Sequence, residues 1–138
     1  MGRVVFLASD PPITIKSPFL VGRWMNQIRE FHAPIYYDEK TFEQARLLCE
    51  ATHEKFGVSV GHMHRKPVGP HPCWSCQLTL SREDFGEVIL WLALNRNGLV
   101  VFIHPDTGND VKDHSEHALW MGEIKEINLS FLKEHSGK

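Results

Sequence analysis

Strands and helices alternate along this chain in the order β-α-β-β-α-β, which predicts an α+β fold with two helices on one face of a four-stranded antiparallel sheet. Three observations carry that reading. Apolar and polar residues alternate with period two around residues 31–37 and 74–80, and apolar residues recur at helical spacing over 42–56 and 85–92. A stop signal then ends each helical stretch, Gly57 for the first and Asn95-Arg96-Asn97-Gly98 for the second.

Residues 1–24 hold Pro11, Pro12 and Pro18, which interrupt every candidate element, so they read as an arm ahead of a single domain at 25–138. In the first strand Phe31, Ala33, Ile35 and Tyr37 share one face and His32, Pro34 and Tyr36 the other. Pro34 has no N–H, so the strand is expected to pair on one side only at that point. Thr41 and Gln44 have the spacing of a capping box and open the first helix, whose stripe is Phe42, Ala45, Leu48, Cys49 and Phe56. Val58, Val60, His62 and His64 share a face of the second strand. After a proline-rich turn, the third presents Trp74, Cys76, Leu78 and Leu80 together. Ser81 and Asp84 repeat the capping pattern before Phe85, Val88, Ile89 and Leu92. Residues 99–104 read as the fourth strand, Asp106-Thr107-Gly108-Asn109 as a turn, 113–117 as a short turn or helix, and 118–127 as a candidate last strand.

This order is the ferredoxin-like arrangement, with strands in the spatial order 4-1-3-2. Its helix-free face would expose an apolar patch larger than monomers usually leave open. A partner sheet or a covering segment is therefore expected, with a homodimer preferred and a ligand cavity enclosed beneath it.

The 138 residues suffice for one hydrophobic core, and a net charge of −2 offers no field for a nucleic-acid backbone. No apolar run approaches the ~20 residues of a membrane span, and no signal segment is evident, so a cytoplasmic location is expected. Three cysteines cannot complete a disulfide framework, which fits a reducing compartment. Cys73-Trp74-Ser75-Cys76 has C-x-x-C spacing, but on a strand its two sulfurs point to opposite faces, which argues against a redox or zinc pair.

Nine histidines concentrate the chemistry. His71 lies in Pro67-Val68-Gly69-Pro70-His71-Pro72, and His104 ends an apolar run before Pro105. Proline stiffens both backbones and so aims both rings, although Pro-His-Pro also suits a stiff surface loop. His32, His71 and His104 come from the first strand, the loop entering the third and the end of the fourth, and strands one, three and four are neighbours in the 4-1-3-2 order, so the three rings can converge. Three imidazoles leave coordination positions open for substrate and water or dioxygen, and this donor set equally suits zinc hydrolysis. His62-Met63-His64 places two rings on one strand face about 6.5 Å apart, a chelating spacing that is also an ordinary edge pattern. His114 and His117 stand at i, i+3 beside Asp113, an arrangement that a solvated polar turn also explains. His53 and His135 read as surface residues.

Several of these segments, in order, resemble the DOPA 4,5-dioxygenase family of small extradiol dioxygenases: His32-Ala33-Pro34-Ile35-Tyr36, Pro67-Val68-Gly69-Pro70-His71-Pro72, Trp91-Leu92 with Asn95-Arg96-Asn97-Gly98-Leu99, His104-Pro105 with Thr107-Gly108, Asp113-His114, and Trp120-Met121-Gly122. The resemblance covers roughly residues 31–122. It implies a dimeric ferredoxin-like protein with non-haem iron(II), or another divalent metal such as zinc in a purified sample. Its reaction would be the ring cleavage of a catechol such as DOPA beside one hydroxyl, with dioxygen as co-substrate. On that reading His32, His71 and His104 bind the metal, and His114, oriented by Asp113, takes the catechol proton. Tyr36 and Arg65 hold a substrate carboxylate or the developing anion. Two departures stand out: Pro34 occupies the place of a second family histidine on the first strand, and Arg65 stands where an acidic residue is common. The alternative on the same fold is a metal- or small-ligand-binding dimer without catalysis.

Overall fold

The computed structural model describes residues 24–135. The expected arm at 1–24 lies outside them except for Trp24, which opens a short 3-10 turn, Trp24–Gln27. The chain continues through β1 (Glu30–Tyr37), α1 (Phe42–Phe56), β2 (Ser59–Val60), β3 (Trp74–Leu80), α2 (Phe85–Asn95), β4 (Val100–Asp106), α3 (Asp110–Asp113), β5 (Leu119–Met121) and α4 (Leu129–His135). Its antiparallel sheet runs β2-β3-β1-β4-β5. The expected 4-1-3-2 order is present, but the four-strand, two-helix count is not: β5 adds a fifth strand along β4, and α3 and α4 follow.

Period-two alternation sorts the sheet into two faces. Ala33, Ile35, Cys76, Leu78, Leu80, Val101 and Ile103 point at α1 and α2 and are buried with Ala45, Leu48, Cys49, Val88 and Leu92. Truncating a core leucine such as Leu92, fully buried here, would cost about 2–5 kcal/mol. Gly57, at φ 71°, ends α1 with its amide donating to the His53 carbonyl, as a left-handed C-terminal glycine does. The capping box at Thr41 does not form. Its hydroxyl instead accepts from the Asp38 amide at 2.9 Å, and the Gln44 side chain donates to the Asn97 carbonyl at 2.7 Å. Ser81 does accept from the Asp84 amide, at 3.1 Å.

Three details set up the site. Pairing of β1 with β3 is continuous from Phe31↔Leu80 to Tyr37↔Trp74, whereas pairing with β4 skips Ala33 and Pro34, as the missing proline donor predicts. β2 is only two residues long, shorter than expected. Residues 61–64 nevertheless keep following β3, with the Gly61 amide donating to the Gln77 carbonyl at 2.8 Å and the His64 amide to the Ser75 carbonyl at 3.1 Å. Finally, the helix-free face is not bare. Tyr36 is 2% exposed and Phe102 is fully buried. The chain itself supplies this cover from the loop carrying His71 and from the segment carrying His114, Trp120 and Leu132. The bare-face argument for a homodimer therefore falls away. Among the described residues no helix is long and apolar enough to cross a membrane.

Candidate metal centre

On this covered face β1 contributes His32, Pro34 and Tyr36, and β4 contributes Phe102 and His104. His32 and His104 are register partners, and their rings meet edge-on with centroids 5.1 Å apart. His71 arrives from the turn before β3, where its amide donates to the Val68 carbonyl at 3.1 Å across Gly69, whose φ of +57° favours glycine. Pro70 is buried, and its carbonyl accepts from the Asn128 amide at 2.9 Å, tying this turn to the C-terminal segment. His114 follows α3 and lies 3.9 Å from the His104 ring and 6.4 Å from that of His71, centroid to centroid. Phe102, stacked on Trp120 at 4.4 Å, forms an aromatic floor beside His71, His104 and His114. All four imidazoles line one cavity of about 350 Å³, together with Arg29, Gln77, Asp106, Asp110, Asp113 and Leu132.

Hydrogen bonds fix several of the ring nitrogens. A carbonyl can only accept, so His104 Nδ1–H donates to the Pro105 carbonyl at 3.1 Å and His114 Nδ1–H to the Asp110 carbonyl at 2.7 Å. Both Nε2 atoms are left with a lone pair. Burial, then the field of His114, depresses the His104 pKa to about 3 despite the Pro105 bond. Burial likewise lowers that of His114. Both rings are thus neutral near pH 7, the form that binds metal or accepts a proton.

Tyr36 Oη and His71 Nδ1 lie 2.7 Å apart. Burial, then Cys73, raises the tyrosine pKa, and burial, then His114 and His64, lowers that of His71 to about 4. When Nδ1–H donates to the tyrosine oxygen, His71 Nε2 keeps a free lone pair, which is how a neighbouring oxygen prepares a metal-binding histidine.

Three assigned roles need correction. Tyr36 is buried, does not line the histidine cavity and turns its hydroxyl to His71, so it holds no substrate carboxylate. Asp113 does not orient His114. Its carboxylate accepts from the Thr107 amide at 2.8 Å, the Thr107 hydroxyl at 2.7 Å and His117 Nδ1 at 2.9 Å. Burial alone would raise its pKa, but the bonds from His117 and Thr107 outweigh that and hold it below the usual range. Asp113 is a buried brace for the turn after β4. The helical turn begins earlier than expected, at Asp110, because the Asn109 side chain caps it by accepting from the Lys112 amide at 3.2 Å. Arg65 is exposed and lies over the Phe42 ring, 3.9 Å from its centroid, outside the histidine cavity.

Sequence reasoning missed Arg29, Glu30, Gln77 and Asp106. Arg29 Nη2 donates to Asp106 Oδ1 at 2.9 Å, and Glu30 Oε2 lies 2.5 Å from His32 Nε2. Among the described residues, Glu30, His32 and Asp106 are the set whose ligand atoms all lie within 4.8 Å of one another; His32, His71 and His104 face the same cavity at wider spacing. The signal was available in the alternation: Glu30 has the parity of His32, Asp106 that of His104, and the two acidic residues pair in register.

Residues 31–131 match the family model "Dopa 4,5-dioxygenase family". An uncharacterised 21.2 kDa protein of Botryotinia fuckeliana is 33% identical over 75% of this chain, and the DOPA 4,5-dioxygenase of Amanita muscaria is 26% identical over 78% of it. The chain spans only 63% and 51% of those two relatives. The crystal structure of a candidate dioxygenase from Nostoc punctiforme superposes with a TM-score of 0.79 at 37% identity, covering 81% of this chain and 97% of that one. With the family model spanning most of its length, the chain belongs to the Dopa 4,5-dioxygenase family.

Proposed function

We propose that this protein is a metal-dependent dioxygenase that opens the ring of a catechol beside one hydroxyl, and that the histidine cavity is its active site. The observation that carries the reading is the gathering of His32, His71, His104 and His114 around one cavity, with His104 and His114 locked in the tautomer that frees Nε2. Neutral imidazoles with nearby carboxylates are a donor set that suits iron(II), so the residues fit the metal that the family implies.

His32, His71 and His104 would hold it. A second ligand set, Glu30, His32 and Asp106, is favoured by mutual proximity and would require Asp106 to leave Arg29 and Glu30 to leave His32. His32 is common to both. When bound, iron(II) makes the catechol hydroxyl more acidic and brings catecholate and dioxygen together.

The chain's own groups do the rest. His114 Nε2 accepts the hydroxyl proton, with Nδ1–H anchored on Asp110. Phe102, buried and stacked on Trp120, packs against the rings of His71, His104 and His114 and holds them in place. Arg29, at the cavity edge, takes the role first given to Arg65 and pairs with a substrate carboxylate, so a carboxylated catechol such as DOPA suits the site. The experiment is oxygen uptake and ultraviolet-visible absorption with anaerobically iron-loaded protein and a panel of catechols. A yellow ring-opened semialdehyde, formed with one dioxygen consumed per substrate, is expected. Metal binding without turnover of any catechol would leave the non-catalytic binding module as the function.

A further inference from the structure

His62 and His64 stand apart from the chemistry above, yet they are unusually well fixed for residues of a loop. Their rings meet edge-on with centroids 4.9 Å apart, and among the described residues neither ring is hydrogen-bonded. The backbone beneath them is held at both ends. At Gly61 the amide donates to the Gln77 carbonyl at 2.8 Å, and the Gly61 carbonyl accepts from Cys76 Sγ at 3.3 Å. At His64 the amide donates to the Ser75 carbonyl at 3.1 Å, while its carbonyl accepts from the buried Tyr37 hydroxyl at 2.7 Å. A side chain at position 61 would bring Cβ to 3.3 Å from the Gln77 carbonyl, so glycine is what lets this segment lie so close to β3. The two rings also line a separate cavity of about 240 Å³ with Val68, Ser75, His71 and Gln77, the last two of which also wall the larger histidine cavity.

From this we infer that His62 and His64 chelate a second divalent transition-metal ion at the rim of the active-site cavity. The two imidazoles already lie 4.9 Å apart, centroid to centroid, on a backbone held at Gly61 and His64, so little ordering is needed on binding. Unbonded imidazole nitrogens select a borderline ion such as Zn²⁺, Ni²⁺ or Cu²⁺ over Mg²⁺ or Ca²⁺. The ion sits one residue's width from the main cavity, because His71 and Gln77 form the shared wall.

The test uses the tag-free full chain, titrated calorimetrically with Zn²⁺, with bound metal counted after gel filtration. Wild type should hold one zinc equivalent more than His62→Ala or His64→Ala. His104→Ala, which strips the main cavity, should keep that rim equivalent. His62→Gln and His64→Gln, which preserve size and polarity, should lose it as the alanine variants do, with unchanged circular dichroism. Variants at 62 and 64 that bind as much zinc as wild type, with the same affinity, would overturn the inference. Loss of the other equivalent in His104→Ala bears only on the proposed catalytic site, so the two claims fail separately.

Discussion

His32 on β1 and His104 on β4 face each other across a register pair, with ring centroids 5.1 Å apart, and both line the cavity that His71 and His114 also line. Replacing either ring should remove a metal ligand without emptying the opposite, helix-packed core. His32→Ala and His104→Ala are expected to fold, by circular dichroism, and to lose bound iron by elemental analysis. Asp106→Asn separates the two ligand sets: it leaves iron content unchanged if His32, His71 and His104 hold the metal, and lowers it sharply if the carboxylates do.

Tyr36 acts through His71. Removing the hydroxyl in Tyr36→Phe leaves Nδ1 without its partner at 2.7 Å, so the ring loses the contact that orients it. Losses of an oriented outer partner typically run about 10–100-fold in metal affinity or activity. Competition with a chelator should show weaker iron binding of that order, with thermal stability changed little.

Asp113 should prove structural. Its carboxylate takes three hydrogen bonds in a site only 1% exposed, so Asp113→Ala is expected to cost about 2–4 kcal/mol in urea unfolding. The pH dependence has a definite sign. The folded pKa is depressed, so this stabilisation is complete above the unfolded value near ~3.9 and is lost as pH falls through the folded one. Wild type should lose more stability than the variant on acidification across that window.

Arg29 governs which catechol binds. Arg29→Gln should raise KM for a catechol carrying a carboxylate while leaving kcat near wild type, and should leave the KM of unsubstituted catechol unchanged. Initial rates on the two substrates check this, since a general structural defect would affect both.

Pro34 lies buried on the cavity side of β1, paired with Gln77 of β3 and unpaired with β4. Pro34→His places an imidazole on the cavity side of β1, where the family resemblance implies a second histidine. Turnover of iron-loaded protein should then rise, each factor of ten corresponding to about 1.4 kcal/mol of barrier. Unchanged turnover would mean that the lost ring is not what limits this chain.

Much of this architecture could be read from local patterns. Period-two alternation placed His32 and Tyr36 on one face, and Gly57 stopped α1 where glycine was expected. The proline gap toward β4 followed from the missing donor. What could not be read in advance was which of several available partners each side chain takes. Asp113 looked paired with its neighbour His114, but Thr107 and His117 hold it instead, and the Asp110 carbonyl holds His114. Arg65 looked like an anion anchor, but its guanidinium found the Phe42 face. The cover over the helix-free face was misjudged because β5 is three residues long and the loop bearing His71 has no periodicity to read.

The most direct test of the central claim is simultaneous measurement of oxygen consumption and absorbance when anaerobically iron-loaded wild type is mixed with DOPA in air. One dioxygen should be consumed for each yellow ring-opened product formed, with His71→Ala and His104→Ala silent in both channels. Iron bound tightly while DOPA and the other catechols stay intact and oxygen stays constant, in wild type and Pro34→His alike, would contradict it.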